Sequence, residues 1–206
     1  EGGAAYMAEA EGKLTGRPGV CFVTRGPGAT NACIGVHTAF QDSTPMMLLV
    51  GDVAQDARDR EAFQEVDFVG MFTPLVKRVE RIDDAARIPE YVQRAFATAL
   101  NGRPGPVVLI LPEDMLARPT AAPVLQRVEA VRAGANPQDV RAAIALLKKA
   151  KKPLVILGGG GWTAAAAGDI RRFAQAWQVP VGCAFRFNDL FDTRDPLYAG
   201  GVGLGI

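Results

Sequence analysis

The chain has 206 residues, of which 49% are hydrophobic and 22% are charged, a composition typical of one or two globular domains. The formal net charge of +1 excludes a strongly acidic or basic protein, so we expect no nucleic-acid partner. No apolar run approaches the length of a membrane-spanning helix, so no membrane partner is expected. Three cysteines without a C-x-x-C spacing fit reduced thiols in a cytoplasmic protein.

Short apolar runs alternate with helical patterns along the chain. The runs lack polar alternation, which is typical of strands covered on both faces in a parallel sheet. The sequence predicts strands over 20–24, 46–50, 75–79, 107–111, 154–157 and 179–184. Helices are predicted after the turn at 26–28, over 84–100, after residue 136 and over 163–177. This alternation predicts an α/β fold with two Rossmann-like units, each a parallel sheet sandwiched by helices.

The pattern fades between the two units, where several prolines and Gly134 indicate a linker. We therefore divide the chain into a first unit over 1–118, a linker over 119–135 and a second unit over 136–206. The chain starts directly in helix-like sequence, and residues 200–206 are predicted to form a glycine-rich loop. We expect both units to be truncated pieces of a longer protein.

The helix after Asn136 has a clear start signal. Asn136 is a favoured N-cap residue, Pro137 suits the first turn, and Asp139 lies near the positive end of the helix dipole. The apolar residues of this helix recur at helical spacing and are predicted to form a buried face; they are Val140, Ile144 and Leu147.

The turn Gly26-Pro27-Gly28 is the most informative local feature, because it joins a predicted strand to an alanine-rich helix. A strand, a glycine turn and a helix together bring backbone N–H groups and a helix N-terminus up to a ligand. The spacing is not G-x-G-x-x-G, so the dinucleotide-binding fingerprint is absent. From these residues alone, a tight turn without a ligand remains the commoner interpretation.

Five segments together carry more information than the turn. They are EGGAA at 1–5, TRGPGATN at 24–31, AFQDSTP at 39–45, AFQE at 62–65 and GRPGPV at 102–107. In order and spacing they resemble the pyrimidine-binding domain of thiamine-diphosphate-dependent enzymes, in the acetolactate synthase and pyruvate oxidase group. The resemblance covers residues 1 to about 118 closely. It covers 136–206 more loosely, as the first part of the middle domain of that family.

The resemblance implies that Glu1 is the catalytic residue and also a cofactor-binding residue. The matching glutamate of the family hydrogen-bonds N1′ of the aminopyrimidine ring of thiamine diphosphate, and it must carry its proton to donate that bond. We therefore expect Glu1 in an apolar, partly desolvated site. Pro27, Gly28 and Asn31 match the family positions that lie against the aminopyrimidine ring, so the resemblance assigns them to cofactor binding.

Three further residues receive a role from the resemblance. It implies that Gln64 reaches toward the cofactor and the substrate from the adjacent chain, and that Phe63 and Lys77 line the substrate pocket. From the residues alone, Phe63 would be a core residue, Gln64 a loop residue and Lys77 a solvated residue on a strand. Arg25 departs from the serine or threonine that acetolactate synthases commonly have before the glycine turn, and from the residue type alone an ion pair is its simplest role.

The resemblance also implies cofactors and partners. The family binds Mg²⁺ and the diphosphate at a Gly-Asp-Gly motif in a separate domain, and this sequence lacks that motif. The Mg²⁺ site is therefore expected outside this chain, and no metal ligand is assigned within it. The family divides its cofactor site between chains, which implies a homodimer or tetramer with the cofactor at the subunit interface. The four glycines at 158–161 match a loop that contacts flavin in some members, which leaves FAD as an option.

The function that the resemblance implies is a thiamine-diphosphate-dependent decarboxylase or carboligase acting on 2-oxo acids, similar to acetolactate synthase. The fragment alone is expected to be inactive. Two alternatives stay open at this point. One is another lyase of the family, of the oxalyl-CoA decarboxylase or aldehyde lyase type, which the departure at Arg25 and the looser match of the middle domain keep open. The other is a non-catalytic FAD- or nucleotide-binding module built on the glycines at 158–161.

Overall fold

The computed structural model describes residues 1–131 and 133–204, which form two compact units divided after Val131. This division falls inside the predicted linker, although the assigned domain bounds stay a prediction. Among the described residues, no helix combines the length and apolar character needed to cross a bilayer. All three cysteines are free, and burial raises the pKa of each thiol.

The first unit is a parallel four-stranded sheet with the strand order β1-β2-β4-β3. Its strands are β1 (Gly19–Val23), β2 (Met46–Asp52), β3 (Arg78–Arg81) and β4 (Pro106–Pro112). Its helices are α1 (Gly2–Thr15), α2 (Gly26–Asp42), α3 (Phe68–Phe72), α4 (Ile88–Leu100) and α5 (Glu113–Leu116). Short 3₁₀ turns occupy Gln55–Ala57, Thr73–Leu75 and Ala85–Arg87. The predicted α/β class with parallel sheets is confirmed.

The two faces of this sheet pack on different helices, and alternate residues of β2 serve the two cores. Met46, Leu48 and Val50 belong to a core with residues of α1, α2 and α3. Met47 and Leu49 belong to a second core with Ala95 and Ala99 of α4 and others. Because side chains of a strand point alternately to opposite faces, a run without polar residues is what two-sided burial requires.

The edge strand β1 departs from the predicted two-sided burial. Gly19, Cys21 and Val23 are buried, whereas Val20 and Phe22 are 47% and 71% exposed. The reason is that β1 is an edge strand. Among the described residues, α4 covers β2 and β4 but not the face of β1 that carries Val20 and Phe22. An apolar run therefore predicted the strand but not which of its faces is covered.

The third strand starts later than predicted. The sequence pattern predicts a strand over 75–79, but Thr73–Leu75 is a 3₁₀ turn and β3 spans Arg78–Arg81. Pro74 supplies the fixed φ that suits the first turn of such a helix, which moves the start of the strand toward Arg78.

The second unit is a parallel three-stranded sheet with the order β5-β6-β7. Its strands are β5 (Val155–Leu157), β6 (Val181–Ala184) and β7 (Tyr198–Val202). Its helices are α6 (Pro137–Lys149) and α7 (Ala164–Trp177), and Asn188–Leu190 is a 3₁₀ turn. The predicted N-cap of α6 is confirmed, since Asn136 Oδ1 accepts a hydrogen bond from the Gln138 amide at 2.9 Å.

Two predictions for this unit were wrong. The expected glycine-rich loop contains most of β7, because parallel pairing with β6 outweighs the low strand propensity of glycine; Gly205 and Ile206 lie outside the described residues. The expected buried face of α6 is uncovered, since no residue of that helix is buried and Val140 is 44% exposed. Periodicity identifies the apolar side of a helix but not what packs against it.

A buried ion pair fastens β2 to β3 across the intervening β4. The Asp52 side chain is 1% exposed, and its Oδ2 accepts a hydrogen bond from Arg81 Nε at 3.1 Å. Its Oδ1 accepts the backbone N–H of Val53 at 2.9 Å. Removing the arginine would leave a carboxylate buried without its counter-charge, which is far more costly than losing an exposed ion pair.

We expect the substitution Arg81→Met to lower the free energy of unfolding by about 3 kcal/mol, because the buried Asp52 loses its charged partner. The matched control is Arg17→Met, which removes the exposed pair with Glu11 and is expected to cost less than about 1 kcal/mol. Urea denaturation of both variants measures the difference. Equal losses in the two variants would contradict the structural role of the buried pair.

Candidate functional site

All the predicted site residues of the first unit except Lys77 gather at the carboxyl ends of its parallel strands. The turn Gly26-Pro27-Gly28 follows β1 and starts α2, and the loop that contains Phe63 and Gln64 follows β2. In open α/β sheets this edge is where ligands bind, because loops and helix N-termini converge there. The fold thus brings together segments that are up to about sixty positions apart in the sequence.

Glu1 and Asn31 are in direct contact. Glu1 is the N-cap residue of α1, and Asn31 lies in the second turn of α2. Asn31 Nδ2 donates a hydrogen bond to Glu1 Oε2 at 3.2 Å. Both residues are exposed, so the described residues of this chain do not by themselves provide the desolvated setting that we expect for Glu1.

The contact between these two residues follows from how closely α1 and α2 approach. A Cβ atom added at Gly35 would lie 2.6 Å from the Ala5 Cβ, closer than two carbon atoms can come. Glu1 precedes Ala5 by four residues, and Asn31 precedes Gly35 by four residues, so each pair shares one helix face. The glycine at 35 therefore sets the separation at which Asn31 reaches Glu1.

The glycine turn lies directly beside Glu1. Pro27 is at the first turn of α2 and is exposed, whereas Gly28 is buried. A Cβ at Gly28 would lie 3.4 Å from the Val23 Cβ and 3.6 Å from the Glu1 Cγ. The turn is thus packed against the end of β1 on one side and against Glu1 on the other, and its proline faces outward.

The loop after β2 is hydrogen-bonded to this turn. The Gly26 amide donates to the Gln64 carbonyl oxygen at 3.0 Å, and Gln64 has a left-handed backbone with φ of 66°. Phe63 is 80% exposed, so it is not the core residue that its type alone suggested. The structure therefore brings together five predicted residues, which are Glu1, Pro27, Gly28, Asn31 and Gln64, and it places Phe63 next to them in the chain.

Lys77 is the predicted site residue that the structure does not bring to this group. Its amide donates to the Pro106 carbonyl at the start of β4, at the opposite edge of the sheet. Its ammonium group donates to the carbonyl oxygens of Thr98 and Asn101, the latter at 2.6 Å, at the C-terminal end of α4. Burial lowers the pKa of Lys77. This arrangement caps the helix with a positive charge.

Sequence reasoning missed two acidic residues at the carboxyl edge. Glu113, directly after β4, accepts a hydrogen bond from Arg25 at 2.8 Å, so the residue before the glycine turn forms an ion pair. Glu65 accepts backbone hydrogen bonds from Asp59 and Ala62, which hold its pKa below the usual value. The position of Glu113 directly after a predicted strand could have indicated a residue at the carboxyl edge. No sequence pattern predicted the hydrogen bonds of Glu65.

The second unit has its own strand–turn–helix feature. Gly159 and Gly161 adopt positive φ values of 75° and 87° between β5 and α7. Trp162 Nε1 donates to the Gly158 carbonyl at 3.1 Å, and Thr163 caps α7. Among residues 1–131 and 133–204, no group of three His, Cys, Asp or Glu side chains is arranged to hold a metal ion.

Comparison with known protein families finds one match in each of the two units. The model of the thiamine pyrophosphate enzyme N-terminal TPP binding domain matches residues 1–71, and that of the thiamine pyrophosphate enzyme central domain matches residues 140–206. The chain belongs to the thiamine pyrophosphate enzyme family. Its first unit thus contains sequence of the cofactor-binding domain, and its second unit contains sequence of the central domain.

Named relatives of this thiamine pyrophosphate enzyme chain align along most of its length. It is 35% identical to an acetolactate synthase of Arthrospira platensis, over 99% of this chain and 36% of the relative. It is 36% identical to an acetolactate synthase large subunit of Parasynechococcus marenigrum, over 97% of this chain and 33% of the relative. It is 38% identical to the acetolactate synthase isozyme 3 large subunit of Escherichia coli, over 89% of this chain and 33% of the relative. The chain spans about a third of the length of these relatives.

The residues at the carboxyl edge fit the aminopyrimidine end of thiamine diphosphate. A carboxyl group such as that of Glu1 pairs with a ring nitrogen, and its contact with Asn31 uses only Oε2. The outward Pro27 offers a flat apolar surface to the face of a ring. Glu1 and Pro27, with Asn31 and Gln64 beside them, could therefore hold this end of the cofactor.

We expect the substitution Gly35→Ala to lower the free energy of unfolding by about 1–3 kcal/mol, because the new methyl group forces α1 away from α2. Gly3→Ala is the matched control, since it makes the same change in α1 at a position where a Cβ would meet nothing within 4 Å beyond the local helix backbone, and it is expected to raise stability by about 0.5–1 kcal/mol. Chemical denaturation measures both changes. A Gly35→Ala variant as stable as Gly3→Ala would contradict the close helix approach.

Proposed function

We propose that the full-length protein is a thiamine-diphosphate-dependent decarboxylase or carboligase that acts on 2-oxo acids, similar to acetolactate synthase. The observation that carries this proposal is the contact between Glu1 and Asn31 beside the glycine turn, with Gln64 bonded to that turn. The relatives named acetolactate synthase, which align with nearly the whole chain, support the same reaction class. When bound, thiamine diphosphate supplies the electron sink for cleaving or forming the bond next to a 2-oxo group.

In this proposal the residues of the chain hold the cofactor ring and move one proton. Glu1 exchanges a proton with N1′ of the aminopyrimidine ring. Asn31 orients the carboxyl group of Glu1 through its hydrogen bond to Oε2. Pro27 would lie against the ring, Gly28 would let the backbone of the turn come close to it, and Gln64 would provide a polar contact from the neighbouring loop. Positioning of the ring and control of this proton are what the protein contributes.

The proposed substrate pocket adjoins the cofactor residues through Phe63. Its side chain is 80% exposed next to Gln64 in the chain, so it is available to contact a small apolar group of a substrate. A pocket role for Lys77 rests on the resemblance alone, and its ammonium group already has two carbonyl partners at the end of α4. The two residues therefore call for separate tests.

We propose a homodimer or tetramer with the cofactor at the subunit interface. The exposure of Glu1, a residue whose proposed role needs a desolvated site, supports a second surface that covers it. Mg²⁺ would bind with the diphosphate in a part of the enzyme outside this chain. FAD binding at the glycines 158–161 stays an option, and the cytoplasmic location stays a prediction from composition.

We expect Glu1→Gln in the full-length enzyme to reduce acetolactate formation from pyruvate by at least about 100-fold, because an amide cannot exchange the proton. The assay contains thiamine diphosphate, Mg²⁺ and pyruvate, and it follows acetolactate and CO₂. Glu11→Gln is the control, because it makes the same change at an exposed residue of α1, and it should retain wild-type turnover. Full turnover by Glu1→Gln would contradict its role. Cofactor binding without pyruvate turnover in the wild type would favour another substrate of the family.

We expect Lys77→Met in the same enzyme to lower the melting temperature by several degrees and to leave KM for pyruvate unchanged, because the lost ammonium group caps α4. Thermal unfolding and steady-state kinetics separate the two effects. A KM raised about tenfold at unchanged melting temperature would instead support the predicted pocket role of Lys77.

A further inference from the structure

The loop between β2 and α3 has an unusual backbone. Asp59, Glu61 and Gln64 have φ values of 62°, 53° and 66°, although none of them is glycine. Side chains of L-residues disfavour this left-handed conformation, so it persists only where surrounding contacts hold it. The segment 59–65 therefore needs a specific interaction to keep its shape.

The carboxylate of Glu65 is the group that closes this loop. Its Oε1 accepts the backbone N–H of Asp59 at 2.6 Å, and its Oε2 accepts that of Ala62 at 2.9 Å. The Glu65 amide in turn donates to the Ala62 carbonyl oxygen at 2.9 Å. The two carboxyl oxygens thus tie the end of the loop to its start and to its middle, in place of backbone partners that a regular element would provide.

The shape of this loop determines where two proposed site residues lie. Gln64 directly precedes Glu65, and its carbonyl oxygen accepts the Gly26 amide of the glycine turn at 3.0 Å. Phe63 is one residue further back and projects from the loop with 80% exposure. A loop that lost its internal hydrogen bonds would release both side chains from their present directions.

We propose that Glu65 is a positioning residue, whose carboxylate folds the loop 59–65 so that Gln64 and Phe63 face the cofactor and substrate. This inference rests on the proposed function for what those two residues face. It predicts that Glu65 acts on binding through the loop without touching either ligand. The charge that matters is that of Glu65, because its carboxylate accepts the two backbone hydrogen bonds. Glu61 is an exposed glutamate in the same segment and allows this to be tested.

The test uses the full-length protein and three variants. In Glu65→Gln the side chain keeps its length, but its NH₂ group cannot accept a hydrogen bond, so one of the two backbone bonds is lost. Glu65→Asp keeps the charge and shortens the reach. Glu61→Gln is the matched control, since it removes the same charge four positions away in the same loop.

Amide hydrogen exchange is the first readout, and ligand binding is the second. We expect Glu65→Gln to accelerate exchange at least about tenfold at whichever of the Asp59 and Ala62 amides faces the new NH₂ group, and Glu65→Asp to accelerate it at both, with a melting temperature close to that of the wild type. We expect the Kd for thiamine diphosphate or the KM for pyruvate to rise about tenfold in these variants, with a smaller change in kcat. Glu61→Gln should match the wild type in each measurement.

Unchanged exchange at Asp59 and Ala62 in Glu65→Gln would overturn the inference, whatever the protein binds. Faster exchange with unchanged Kd and KM would overturn the positioning role and leave Glu65 a structural residue of the loop. A wild-type protein that does not bind thiamine diphosphate would refute the proposed function instead. In that case the exchange measurement still decides whether Glu65 holds the loop.

Discussion

The close approach of α1 to α2 is the constraint on which the candidate site depends. The two helices touch at Ala5 and Gly35 with no room for another methyl group. This contact is a packing interaction between small residues, yet its consequence is polar. One turn nearer to both N-termini it leaves Glu1 and Asn31 at hydrogen-bond distance. The polar pair Glu1 and Asn31 is thus held in place by the apolar contact between Ala5 and Gly35.

Charged contacts organise the rest of the carboxyl edge. Arg25 pairs with Glu113 between the ends of β1 and β4, and Arg81 pairs with the buried Asp52 across β4. These interactions connect the carboxyl ends of strands that are not neighbours in the sheet. The exposed residues of the site, such as Glu1, therefore lie at a sheet edge whose neighbouring charged residues are held in ion pairs. This favours a fixed arrangement of the site residues over an adaptable one.

Much of the fold could be predicted from the sequence because the patterns that carry it are local. The apolar runs of β2 and β4 and the cap at Asn136 depend on residues near them in the chain, and all three were confirmed. The strand β7 could not be predicted, since glycines form a strand there only through pairing with β6. The exposed face of β1 likewise depends on what packs beside it.

The site was predictable in part, and for a different reason. Glu1, Asn31 and Gln64 carry no local signal of their own, and only the resemblance of five segments to a known family linked them before the structure brought them together. Glu65 was missed because its role lies in hydrogen bonds to backbone amides of its own loop, which the sequence pattern does not indicate. The environment of Lys77 was missed because it depends on the end of α4, which lies over twenty residues away.

The most direct test is a crystal structure of the full-length protein with thiamine diphosphate and Mg²⁺. The account predicts that N1′ of the aminopyrimidine ring lies within hydrogen-bond distance, about 2.6–3.2 Å, of a carboxyl oxygen of Glu1. It also predicts that Pro27 lies against the ring and that Asn31 remains bonded to Glu1. A cofactor ring bound away from Glu1, or a Glu1 side chain turned from it, would contradict the central claim.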